Sequence, residues 1–247
     1  MIEREDHGPV TLLRMAHGKA NALDTEFCRA LAGALRAFER SDARAAVLTG
    51  SGSIFCAGVD LKRIVDGGAA YVDEFLPALD ELLRALAFCP KPIVGACNGH
   101  AIAGGLVILC ACDVRLVANG KGRLGVPELL VGVPFPRLAL ELVRAVVPSP
   151  AFARVVYEGK AYGVEEALAR GLGDEALAPD ALLEEALATA RRLAEVPPAS
   201  FRATKELVRR PLRESVEDDA ASERAIRGVW KKPETLEAVR AFVARTL

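Results

Sequence analysis

The chain has little of what announces a metal centre, a membrane span or a nucleic-acid surface. Its only histidines are His7, His17 and His100, and its six cysteines, Cys28, Cys56, Cys89, Cys97, Cys110 and Cys112, form no C-x-x-C pair. Cys110 and Cys112, two apart on a helix, point to nearly opposite faces and cannot chelate one ion. The cysteines therefore read as reduced thiols, and no metal is expected. The longest apolar run, Gly104 to Cys112, falls far short of the roughly 20 residues that a bilayer span needs. The opening MIEREDHG lacks the apolar stretch of a signal peptide, so the expected location is cytoplasmic, with no membrane partner. A formal net charge of −1, with basic pairs such as Arg191-Arg192 and Lys231-Lys232 beside acidic neighbours, leaves no stripe for nucleic acid. Aromatics make up only 5% of a chain that is 51% hydrophobic, so Ala, Leu and Val fill the core, as in helix-rich α/β proteins. At 247 residues such a chain buries roughly three quarters of its unfolded surface, and disorder is not expected.

What is present alternates. PVTLLRM reads as a strand, LDTEFCRALAGALRAFERS as a helix with Asp24 at its N-cap, and RAAVLTG as a buried strand ending in the Gly50–Ser53 loop. A helix from about Tyr71 to Phe88 stops at Cys89-Pro90-Lys91-Pro92, and the strand-like IVGACNG leads into an apolar helix. VRLVA, a turn at Asn119-Gly120, and RLGVPELLVGVP continue as strand and turn. From Pro136 onward the pattern is helical, without another long strand. The tail carries Phe201, Leu207, Val208, Val229, Trp230, Val239, Phe242 and Val243, more apolar surface than loose helices hide, so the core or another subunit must cover it.

Two glycine-bearing turns, CAGVDLK (Cys56–Lys62) and GHAIAGGL (Gly99–Leu106), each precede a helix. A helix start exposes free N–H groups, and two that converge stabilise an oxygen that becomes negative. Tight turns and close helix packing require the same glycines, so the residues alone leave both readings open.

The ordered series KANALD, FCAGVDLK, KPIVGACNGHAIAGG, CDVRL, GVPE and KKPETLEAVRAFVARTL resembles the crotonase, or enoyl-CoA hydratase/isomerase, superfamily over most of the chain. The resemblance implies an α/β fold: a spiral of ββα units over residues 1–196 with an acyl-CoA site, and a helical segment, 197–247, that packs and builds a homotrimer or dimer of trimers. The substrate it implies is an acyl-CoA thioester, whose coenzyme A is part of the substrate and not a separate cofactor. Residue by residue, Val59 and Gly104 become the oxyanion donors and Glu128 the catalytic carboxylate. Ala20, Ala22, Ala57, Gly58, Asp60, Leu61 and Lys62 fall where the family cradles the coenzyme, with Asp60 organising its loop and Lys62 facing phosphate. Val107 stands where the hydratases carry their first glutamate, among the substrate-binding positions. Ile64, Phe75, Leu76 and Leu79 either line the acyl pocket or pack the core. His100 reads as a core or supporting residue, His7 and His17 as surface, and Asp113 as structural.

A valine neither holds nor activates water, whereas one carboxylate suffices to take a proton from one carbon of a thioester and return it to another. An apolar wall that includes Val107 would also exclude water and raise Glu128 toward neutrality. The expected activity is therefore migration of a double bond from 3-enoyl-CoA to 2-enoyl-CoA. Hydration, another enolate reaction, and a non-catalytic acyl-CoA-binding protein are the alternatives. By spacing alone, Glu128 could equally cap a turn or pair with Arg137. The sequence departs from the family pattern at Val107, at Ala103 where glycine is common, and by one extra residue between Asp113 and Glu128.

Overall fold

Segments apolar enough to be buried on two faces become strands, and amphipathic segments become the helices that cover them, in the computed structural model, which describes residues 1–217 and 220–246. Strands β1 (Ile2–His7) and β2 (Val10–Met15) form an antiparallel hairpin, followed by α1 (Thr25–Arg40). Three strand–strand–helix units come next: β3 (Ala45–Gly50), β4 (Ile54–Cys56) and α2 (Leu61–Ala87); β5 (Ile93–Cys97), β6 (His100–Ile102) and α3 (Gly104–Ala111); β7 (Val114–Ala118), β8 (Arg123–Gly125) and α4 (Glu128–Val131). The remainder runs α5 (Arg137–Val146), α6 (Ser149–Glu158), β9 (Ala161–Gly163), α7 (Val164–Ala169), β10 (Glu175–Leu177), α8 (Leu182–Glu195), α9 (Pro198–Glu217), α10 (Ala220–Trp230) and α11 (Pro233–Thr246).

The first strand of each unit joins a six-stranded sheet ordered β1-β2-β3-β5-β7-β10, and the second joins a four-stranded sheet ordered β4-β6-β8-β9. Each unit thus advances one place in both sheets, with parallel neighbours, which is a spiral of ββα units. Along β2 and β3, Leu13, Met15, Ala46 and Leu48 face the main core, while Val10, Leu12, Ala45 and Val47 face Leu182, Ala186 and Ala190 of α8. Burial on both faces explains why these strands read as continuous apolar runs.

Several elements differ from the sequence reading. Strand β1 and the three-residue strands β4 and β6 are additional, and α4 is a helical turn where strand and turn were expected. The two strands after Pro136, β9 and β10, span three residues each, too short to carry a periodicity. Helix α2 begins at Leu61, not near Tyr71: Asp60 caps it by accepting from the Lys62 and Arg63 N–H groups, and Gly68 (φ 54°, ψ −145°) breaks it into two helical segments. His7 and His17 are half-buried, His17 stacking on Phe27 with ring centroids 4.7 Å apart and its Nε2 lying 2.8 Å from an Asp24 oxygen.

The tail helices are sewn to the core. Leu212, Val216, Trp230 and Val239 belong to the main hydrophobic cluster. Asp113 accepts from the Ile93 N–H at 2.9 Å and from Lys205 Nζ at 2.7 Å, and Arg209 donates to the carbonyls of Ala111 (3.0 Å) and Cys112 (3.3 Å). Asp113 is structural, as expected. Leu207 and Val208 remain exposed, and Leu247, the end of the last motif, lies outside the described residues.

Candidate active site

The two glycine-bearing turns meet. The loop at Ala20–Leu23 is stitched to the first turn: Ala57 N–H donates to Ala20 O (3.0 Å), Leu23 N–H to Gly58 O (2.7 Å), and Asp60 N–H to Leu23 O (2.9 Å). In the second turn Ala103 N–H donates to Gly125 O (2.8 Å) and its carbonyl accepts from Val107 N–H (3.1 Å). These bonds fix both backbones yet leave the N–H groups of Val59 and Gly104 without a partner among the described residues. Gly58 (φ 86°) cannot be another residue here, because a Cβ would lie 2.6 Å from Ile102 O, 2.8 Å from Ala103 Cβ and 3.3 Å from Gly104 N. The two free donors therefore sit side by side.

They open onto a cavity of about 370 Å³ that Ala20, Ala22, Ala57, Val59, Asp60, Leu61, Lys62, Gly104, Val107 and Glu128 all line. Gly58 stands behind that wall, not on it. Of the four acyl-pocket candidates only Leu79 reaches the cavity, while Ile64, Phe75 and Leu76 pack in the core. His100, on β6, does not line the cavity. The sequence reading missed Leu83, Ile102, Ala103, Pro127, Val131, Val133, Pro136, Ala139, Trp230, Phe242 and Thr246. Val131 follows Glu128 by three residues, the i,i+3 spacing that puts both on the inner face of α4, a signal that could have found it. Trp230, Phe242 and Thr246 come from the tail and have no local signal.

Helix α4 aims Glu128 inward, with Val131 buried beside it and Leu129 and Leu130 turned out. Gly132 (φ 94°) ends the helix, its N–H bonding back to Glu128 O at 3.0 Å. Glu128 is 7% exposed, and its Oε2 has no hydrogen-bond partner among the described residues. Loss of hydration dominates, and only its own backbone N–H opposes it, so the carboxyl is pushed up to about 8. Glu128 makes no ion pair among the described residues, and Arg137 Nε donates to Ser215 O (2.6 Å). The six cysteines are free and buried, which pushes the thiols up, Cys56 to about 12, and removes them as nucleophiles. Among the described residues no three His, Cys, Asp or Glu side chains are placed to hold a metal ion, and no helix is long and apolar enough to cross a membrane.

A ββα spiral that carries such a cavity has the architecture of the crotonase-fold enzymes. The profile of the family described as "Enoyl-CoA hydratase/isomerase" matches residues 5–245. A Rhizobium meliloti (strain 1021) protein named "Probable enoyl-CoA hydratase" is 32% identical over 250 residues, covering 98% of this chain and 94% of its own. Among solved structures, the apo form of a Mycobacterium tuberculosis enoyl-CoA isomerase superposes with a TM-score of 0.81 at 29% identity, covering 97% of each chain. Human mitochondrial delta3-delta2-enoyl-CoA isomerase reaches a TM-score of 0.93, covering 99% of this chain and 97% of its own, and at 22% identity that likeness speaks for the fold alone. The chain belongs to the enoyl-CoA hydratase/isomerase family and is an enzyme of it.

Proposed function

We propose that this enzyme moves the double bond of a 3-enoyl-CoA to the 2 position. The observation that carries the reading is Val107, fully buried and on the cavity wall one turn beyond Gly104, opposite a site whose one deeply buried carboxylate is Glu128. Asp60, the other carboxylate on the wall, is occupied in capping α2. In this mechanism the thioester oxygen accepts hydrogen bonds from Val59 and Gly104 N–H. Glu128 breaks the C2–H bond and keeps the proton while the electron pair delocalises through C1 onto the thioester oxygen and through C3=C4 to C4. The same proton then returns to C4 as C2=C3 forms, so nothing is gained or lost overall. The helix start and the two donors stabilise the intermediate charge, and the apolar wall keeps water from C3. Ala20, Ala22, Ala57, Leu61 and Lys62 cradle the coenzyme arm, and coenzyme A is needed only as part of the substrate. A homotrimer or dimer of trimers would cover the outward Leu129 (43% exposed) and Leu130 (55% exposed), and sedimentation would reveal it.

The name of the Rhizobium relative favours hydration as the second reading. Purified protein given 3-enoyl-CoA and 2-enoyl-CoA, with bond migration and water addition followed separately, decides between them. Migration without hydration, abolished in Glu128→Gln while acyl-CoA binding persists, is expected. Rapid formation of 3-hydroxyacyl-CoA would replace the isomerase with a hydratase.

A further inference from the structure

We infer that the C-terminal helix sets the acyl-chain length this enzyme accepts, with Phe242 as the residue that ends the acyl tunnel and medium-chain thioesters as the substrate class. The inference rests on the cavity being an acyl-CoA site.

The rest of the wall is largely apolar and comes from helix positions distant in sequence from the two donor turns. Leu79 and Leu83 of α2, Ala139 of α5, Trp230 of α10, and Phe242 and Thr246 of α11 supply it. Helix α11 lies against the Glu128 turn, since a Cβ on Gly132 would sit 2.6 Å from Ala238 Cβ. Trp230 is a fixed part of this wall: it is 2% exposed, and its Nε1 donates to Pro134 O at 2.9 Å. Lys231, the next residue, holds Asp73 of α2 at 3.0 Å. Phe242 has no such anchor and is half-buried one turn from the end of α11, where Thr246 Oγ1 bonds back to its carbonyl at 2.9 Å. Its side chain can therefore be resized without breaking the bonds that hold Trp230 and Lys231 in place.

Volume sets the length. The cavity of about 370 Å³ lies at the lower end of the roughly 300–1,000 Å³ of ligand pockets. The coenzyme arm shares that space with the acyl chain, so the room left suits a chain of medium length. Each methylene that the wall covers strengthens binding about fourfold, up to the chain that meets Phe242.

The test is a ladder of saturated acyl-CoAs from 4 to roughly 16 carbons, bound to wild type, Phe242→Ala and Phe242→Trp in a calorimeter; these esters have no double bond, so binding is read whether or not the proposed isomerisation occurs. Affinity is expected to climb about fourfold per methylene to a maximum at medium chain length and then fall at least tenfold. Phe242→Ala moves the maximum to longer chains, and Phe242→Trp to shorter ones. Undiminished affinity of the wild type for the longest chains, or the same maximum in all three proteins, overturns the assignment. If one variant fails to fold, the other still moves or does not move the maximum. Absent turnover on 3-enoyl-CoA would sink the isomerase reading and leave this ladder interpretable.

Discussion

Ionisation of Glu128 couples the rate of the proposed reaction to the stability of the fold. A base must be deprotonated to work, and burial pushes this carboxyl up to about 8 from 4.5. About a tenth of the enzyme then carries the working carboxylate at pH 7 and about a hundredth at pH 6, so kcat/KM rises nearly tenfold per pH unit and levels off above 8. Stability moves in the opposite direction. Between 4.5 and 8 the folded state holds a proton that the unfolded chain has released, so this contribution is fully present below 4.5 and lost as pH rises through 8. Integrating that difference from pH 5.5 to 8.5 gives a loss of about 3 kcal/mol. Glu128→Gln keeps the shape and cannot titrate. Urea unfolding of both proteins at the two pH values should therefore show wild type losing about 3 kcal/mol relative to the variant across the interval. The paired pH–rate profile of wild type should bend near 8. A rate flat from pH 6 to 9, or a wild-type/variant stability difference independent of pH, would refute the argument that this side chain is held neutral by desolvation.

Three further perturbations test the frame around that carboxylate. Ala103 holds φ 51° and ψ −125°, a conformation that costs an alanine on the order of 1–3 kcal/mol. Ala103→Gly should thus raise unfolding free energy by about 1 kcal/mol net of glycine's extra chain entropy, and a lower denaturation midpoint would contradict the strain. Gly58→Ala drives a methyl into Ile102 O and Ala103 Cβ at 2.6 and 2.8 Å; losing one donor alignment should cut kcat about a hundredfold, and unchanged kinetics would remove this turn from the oxyanion site. Asp113→Ala leaves Lys205, 7% exposed, with no carboxylate partner and strips the Ile93 N–H of its acceptor. The cost should be about 3–5 kcal/mol in urea, and a loss under 1 kcal/mol would mean that water replaces the pair.

The sequence reached the elements whose signal is local. Strands β3, β5 and β7 showed as apolar runs because both their faces are buried, and Asp24 caps α1 as read, accepting from Phe27 N–H at 2.7 Å. Strands β4 and β6 were invisible because three residues carry no period; their identity lies in pairing between Ile54 and His100, 46 positions apart. The helix expected from about Tyr71 starts ten residues earlier, because Asp60 caps a helical start at Leu61 and the backbone turns at Gly68 before continuing. Of the site positions that motif order supplied, all but Gly58 line the cavity, whereas Ile64, Phe75 and Leu76, named without a motif, do not. The far wall was out of reach, since nothing local in the tail tells that Trp230 meets Pro134, 96 residues away.

Helix α3 explains why tail and site form one structure. All eight of its residues are buried, and GGLVILCA offers no polar side chain to fix its rotation or its depth. Its position is therefore set at its ends. The N-terminus carries the free Gly104 N–H, and the helix dipole there favours the negative charge that an enolate oxygen develops. The last carbonyls, Ala111 and Cys112, are held by the guanidinium of Arg209, which places a cation at the end of the helix where the dipole favours one. Asp113 completes the grip by joining Lys205 of α9 to Ile93 of β5. Helix α9 thus anchors the far end of the element whose near end would face the thioester in the proposed reaction, while α10 and α11 supply part of the cavity wall. A displacement of the tail would reach the donors along a rigid rod about 12 Å long. The secondary structure changes near residue 197, but the hydrophobic core and the cavity continue across that point.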